Sequence, residues 1–343
     1  MFLTLYVAPI LKPGYRRPSF FNDWDAAHYL LIARSGYPQL HSPGGGFDAT
    51  AAFFPLLPLA TRAVHIATRL SVRTSGIAVA NASALAAFCV IWMLFREVVG
   101  DRRATIAVTL LAFWPASFVL SMVYSDGLLL LAAAACLLAL RHEVWWAAFV
   151  FGALASLSRP DGVVLALCIA WAAYEAHRRR PGWVPWIAAL GPPLGFAGYL
   201  GYLWIALGSP GAWFTAERRG WGRRFDFGRT WWSNGFTALH HPTARVDLVA
   251  STIAGIVGVA LVVWMIQSRL PVPLTIYAGG IMVLALGSGV GGSVPRYCLD
   301  AFPIFLVPAA RLRATVNAAL VGCSAGAMAL FMLVVELTRT TTP

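Results

Sequence analysis

Charged side chains are scarce in this sequence: they make up 12% of its 343 residues, against about a quarter in an ordinary soluble domain. A surface given over mainly to water is therefore excluded, and lipid is the solvent that fits. Lysine is nearly missing. Lys12 is the only one, so arginine supplies almost all the positive charge; with the abundance of alanine, this bias points to a high-GC bacterial gene. The five cysteines have no paired spacing. Cys89, Cys136, Cys168 and Cys323 fall inside apolar runs and Cys298 at the edge of one, which excludes a disulfide framework and a cysteine metal site. The seven histidines form no metal spacing either, His240 and His241 being adjacent and pointing apart. No glycine-rich loop opens a helix to cradle phosphates, and no G-x-S-x-G element occurs, so a nucleotide-using enzyme finds no support.

What is present is apolar sequence, 59% of the chain. Runs at 75–95, 104–122, 125–140, 144–158, 161–176, 184–207, 246–266, 272–290, 297–310 and 314–336 each approach the roughly 20 residues a helix needs to cross the hydrocarbon layer. The expected fold is all-α: a polytopic transmembrane helical bundle of about ten spans, forming a single integral-membrane domain over 1–343. The net charge of +12 lies in short arginine clusters between these runs. That pattern excludes nucleic acid as a partner and matches topology signals and anionic lipid head groups.

Sorting the clusters by the positive-inside rule gives an orientation. "REVVGDRR" (96–103), "RHE" (141–143), "HRRR" (177–180), "SR" (268–269) and "RLR" (311–313) alternate along the chain and can all be cytoplasmic. The connections 12–74, 115–127, 158–162, 209–245 and 291–297 then share the outer face. In 53–70, Arg62, His65 and Arg69 form one polar stripe on an apolar helix, the pattern of a helix lying in the interface. Two juxtamembrane helices are therefore expected, 26–34 and about 56–70. At the start, "MFLTLYVAPIL" is too short to span and lacks a basic n-region, so either the true start lies upstream or a truncated first helix remains.

Several polar residues sit where apolar sequence would be expected. Asp25, flanked by Trp24 and followed by His28 and Tyr29, is placed to act as a general base at a membrane surface; it reads equally well as the N-cap of the helix that follows. Asp23 and Asp25 form a D-x-D pair, a pattern that can hold a divalent ion but is common by chance. In "VYSDG", Tyr124 and Asp126 gather near the outer end of a span. Asp126 is either a functional carboxylate or a cap, with Gly127 in a turn. In "SRPDG", Arg159 and Asp161 either pair within a turn or line a site. "AERRGWGRRF" carries Arg218, Arg219, Arg223 and Arg224 beside Glu217 and Trp221, suited to a phosphate, a diphosphate or anionic head groups. Arg296, with Tyr297 and Asp300, lies at membrane depth, facing a bound anion or an internal ion pair.

"WDAAHYLLIARSGYP", "FFPLLP", "PASFVLSMVYSDG", "LASLSRPDG", "WGRRF" and "PRY…FPIF" occur in the order found in the PIG-V family, the second mannosyltransferase of GPI-anchor assembly, and its bacterial relatives. The chain resembles that family from about residue 20 to 310. The resemblance implies a GT-C glycosyltransferase, working on the non-cytoplasmic face with a polyprenyl-phosphate sugar donor. It implies Asp25 as the catalytic base, Tyr124, Asp126 and Arg159 as site residues, and Arg296 with Tyr297 as a phosphate ligand; Asp23, Trp24, His28, Asp161 and the arginines at 218, 219, 223 and 224 are expected to bind substrate on the reading of their own motifs. Glutamate is more usual in the family at Asp126. No cofactor or metal is expected, because lipid phosphate held by arginines is already a usable leaving group. The acceptor is expected to be a glycolipid, a polymer or a protein hydroxyl, and membrane lipids are the other partners. A transporter or flippase for a lipid-linked sugar is the alternative, although no internal repeat with paired broken helices is evident.

Overall fold

Every element among the described residues is a helix or a 3-10 turn in the computed structural model, which describes residues 24–37, 49–241, 245–289 and 292–338. Four helices are long and apolar enough to cross a membrane: Val72–Val99, Val184–Leu207, Val246–Gln267 and Ala314–Val335. Most of their surface is not covered by protein, as expected of residues whose solvent is lipid. The other predicted spans are shorter or broken. The run 104–122 holds a helix at Asp101–Ala112 and a separate 3-10 turn at Ser117–Ser121, because Pro115 lacks the N–H that would continue the ladder. The run 161–176 begins as a 3-10 turn, Pro160–Val164. The run 297–310 is split into Val294–Asp300, Phe302–Phe305 and Leu306–Arg311, with Pro303 in the break. The expected outer loop 209–245 contains two helices, Ala212–Trp221 and Arg229–His240. The N-terminal stretch before Trp24 lies outside the described residues.

The chain forms two compact units. One comprises Trp24–Val90 and Met122–Arg224. Its helices pack through small residues: "GPPLG" (191–195) is a G-x-x-x-G pattern of the kind that lets helix backbones meet. A Cβ on Gly191 would stand 2.2 Å from the Phe149 carbonyl oxygen, and one on Gly195 would stand 2.4 Å from that of Ala153. The Gly191–Leu207 helix thus lies directly against Trp145–Ser158. On its other side the helix buries Tyr199, Leu203 and Leu207 with Ala51, Phe54, Ala212 and Ala216. The Tyr199 hydroxyl is shared by the Ala51 and Phe53 carbonyls, 3.0 Å from each, and Tyr37 donates to the Phe53 carbonyl at 2.6 Å. Residues 51–54 are thereby fixed beneath the Asp25–Ser35 helix.

The second unit comprises Ile91–Ser121 and Phe225–Pro343. Its core is aromatic, with Phe302 between Phe95 and Tyr277 and with Trp114 against Phe305. Trp114 also donates its indole N–H to the Pro295 carbonyl at 2.7 Å. The short Val294–Asp300 helix is buried throughout, including Arg296, Tyr297 and Asp300. All five cysteines are free thiols.

Candidate functional site

Asp25 is the first residue of its helix, and Trp24 is the N-cap. Trp24 makes no side-chain cap bond, and Asp25 lies one residue inside the helix rather than at its N-cap. The carboxylate sits in the first turn, where the helix macrodipole favours negative charge. Trp24 has φ 56 and ψ −129, a left-handed conformation that is unusual for an aromatic residue. The buried stripe of the helix is Ala26, Tyr29, Leu30, Ile32 and Ala33. Leu30 therefore lies on the inner face rather than with exposed Leu31. Asp25 and His28 border this stripe, half-buried.

Tyr29, one turn beyond Asp25, meets the Ser125 hydroxyl at 2.8 Å in a buried contact. That bond ties the helix to the residue before Asp126. Asp126 begins the Asp126–Arg141 helix and is fully buried, as Tyr124 nearly is. Gly127 is not a turn residue. A Cβ there would stand 2.8 Å from Ser83 Oγ and 3.0 Å from the Ala84 nitrogen, so glycine permits close packing against the Val72–Val99 helix.

Arg159 joins two motifs that sequence spacing kept apart. Its Nη1 donates to Asp126 Oδ1 at 2.8 Å, and its Nε donates to Asp161 Oδ2 at 3.1 Å. All three side chains are buried. A buried guanidinium is tolerated only when its charge is matched in this way. The geometry arises where the Trp145–Ser158 helix ends: Pro160 forces Arg159 into extended backbone, φ −156 and ψ 151, turning it out of the helix. Gly162 then packs on the same helix, since a Cβ would come within 2.3 Å of the Ala155 carbonyl carbon.

The arginine cluster divides. Arg218, Arg219 and Arg224 are exposed, while Arg223 is half-buried and its Nε lies 3.4 Å from Glu217 Oε2. Glu217 was not among the predicted site residues. It is 9% exposed and shares the inner face of the Ala212–Trp221 helix with Ala212 and Ala216. Burial pushes its carboxyl above the ordinary value of 4.5; Arg223 opposes this, Asp161 and Asp25 push the same way, and Arg159 opposes it weakly. Asp25, Asp161 and Arg159 are thus near enough for their charges to act on Glu217. Helical periodicity over 212–221 was the available signal, because Glu217 lies four residues after Trp213.

Aromatic rings complete the neighbourhood. His28 stacks on Phe53 with centroids 4.6 Å apart, and Trp221 meets Phe53 at 5.4 Å and His28 at 6.1 Å, both edge-to-face. The structure therefore gathers Trp24, Asp25, His28, Tyr124, Asp126, Arg159, Asp161 and Arg223 into one unit with Glu217 and Trp221. Arg296 and Tyr297 belong to the other unit, and Asp23 lies outside the described residues. Among the described residues, no three histidine, cysteine or acidic side chains are grouped as metal ligands.

The chain is similar in fold to ArnT from Cupriavidus metallidurans in a crystal structure bound to undecaprenyl phosphate, with a TM-score of 0.58 and 16% identity over 99% of this chain and 65% of that one. It is also similar to the Archaeoglobus fulgidus oligosaccharyltransferase crystallised with Zn and sulfate, with a TM-score of 0.56 and 16% identity over 98% of this chain and 52% of that one. The chain thus spans less than two-thirds of either protein. At such identities the likeness is one of fold. The fold is all-α and GT-C-like, as the sequence led us to expect. No family model matches the chain, and neither does any curated protein.

Proposed function

We propose that the chain is a membrane glycosyltransferase that moves a hexose, with mannose the first choice, from a polyprenyl-phosphate carrier to an acceptor hydroxyl on the extracytoplasmic face. The observation that carries this reading is Asp25, set at a helix start where its charge acts on Glu217 and its helix is tied through Tyr29 to a buried ion triad, within a GT-C-like fold. The undecaprenyl phosphate bound by ArnT supports a carrier of that class. The PIG-V-like motif order supports mannose.

In the reaction, Asp25 takes the proton of the acceptor hydroxyl as its oxygen attacks the anomeric carbon. The bond from that carbon to the phosphate oxygen breaks with inversion, and the electron pair leaves with the phosphate. The immediate surroundings of Asp25 are rich in carboxylates, which repel a phosphate. The phosphate is therefore assigned to the arginine side, to Arg223 with Arg218, Arg219 and Arg224 at the exposed margin. The Asp126–Arg159–Asp161 triad acts as a frame for the Asp25 helix. A phosphate contact from Arg296 is proposed on the resemblance alone.

The test uses the purified chain in nanodiscs with a panel of polyprenyl-phosphate sugars, following carrier consumption. Wild type is expected to consume at least one carrier, and Asp25→Asn to lower turnover by about 100-fold or more. Full activity in Asp25→Asn removes Asp25 as the base. Binding of carriers without turnover of any of them would favour a transporter or flippase instead.

A further inference from the structure

The Ala212–Trp221 helix carries two features that base and phosphate binding leave unused. Trp221 is 38% exposed although it is packed edge-to-face against Phe53 and His28. Glu217, one turn earlier, is nine-tenths buried, and its buried Oε2 accepts no hydrogen bond, with Arg223 Nε 3.4 Å away. We propose that Trp221 and Glu217 form a pyranose-binding subsite, in which the indole takes the C–H face of a sugar ring and the carboxyl group takes its hydroxyls. This inference rests on the transferase reading for its biological setting, but it stands on its own contacts.

The chemistry of the neighbourhood selects the ligand. Asp25 and Asp161 act on Glu217 as like charges while Arg223 and Arg159 act as opposite ones, so acids and bases are mixed around it, and a neutral polyol rich in O–H donors fits such surroundings. A metal ion has no ligand set among the described residues. An acyl chain offers nothing to a buried carboxyl group, whose unmet hydrogen-bonding capacity is costly. A pyranose satisfies both features at once, since it has an apolar C–H face and an equatorial rim of hydroxyls. Arg223, whose Nε lies 3.4 Å from the same Glu217 Oε2, links the subsite to the arginine cluster.

The sugar can be that of the donor or of a glycoside acceptor, and two binding arms separate these. In nanodiscs, tighter binding of farnesyl-phosphate mannose than of farnesyl phosphate reports a donor sugar. Tighter binding of octyl mannoside than of octanol reports an acceptor sugar. Wild type is expected to show at least one preference, of about three- to tenfold. Trp221→Ala should erase it and Trp221→Phe retain most of it. Glu217→Gln should weaken it as well. Absence of both preferences in wild type, or a preference that survives Trp221→Ala, overturns the subsite. A Trp221-dependent preference in a protein that turns over no carrier leaves the subsite standing and removes the transferase reading.

Discussion

Glu217 carries a pH signature because its carboxyl is harder to ionise in the folded chain than in the unfolded one. A raised folded value means that the native state holds the proton more tightly. The resulting penalty is absent below the ordinary value of 4.5 and grows as pH rises through the window above it, until the buried group is itself ionised. Glu217→Gln removes the titration. Thermal unfolding of the two proteins should therefore nearly coincide at pH 4, with wild type falling progressively below the variant towards neutrality; a difference that stays flat with pH would contradict this account. Asp25 stood out in the sequence as an acid beside tryptophan before an apolar run. Glu217 was masked by four arginines, and only the inward face of its helix distinguishes it.

At the scale of elements, hydrophobic runs reported where helices form well and where they continue poorly. The runs 246–266 and 314–336 became single long helices, whereas 104–122 and 297–310 broke at Pro115 and near Pro303. Composition is blind to such breaks, because a buried turn is as apolar as the helices it joins. The helices Asp25–Ser35 and Leu56–Thr68 were legible in the sequence, the second because its polar residues recur at helical spacing. The contact between the Gly191–Leu207 and Trp145–Ser158 helices is the most demanding in this unit. Gly195→Val forces a Cβ to 2.4 Å from a backbone oxygen, which no side-chain rotation relieves. Overpacking of this kind costs about 1–3 kcal/mol, so the variant should melt several degrees lower in detergent. An unchanged melting temperature would show that the two helices can separate freely.

For the whole molecule, the orientation proposed from the arginine pattern can be tested from outside the cell. Cys89 and Cys323 are exposed and would first be replaced by serine. A membrane-impermeant maleimide applied to intact cells should then label Arg219→Cys and spare Arg180→Cys, which becomes reactive only after permeabilisation. Labelling of both positions, or of Arg180→Cys alone, would reject the extracytoplasmic site.

The Asp126–Arg159–Asp161 triad bears on how such a chain can change over generations. Loss of either aspartate leaves a buried guanidinium undermatched, and loss of the arginine strands two buried acids, so each single substitution is worse than changing the set. The three positions should therefore change together or not at all. Their persistence in related chains would record a constraint of folding, and the search for residues that distinguish one sugar from another belongs among their freer neighbours, around Trp221 and His28.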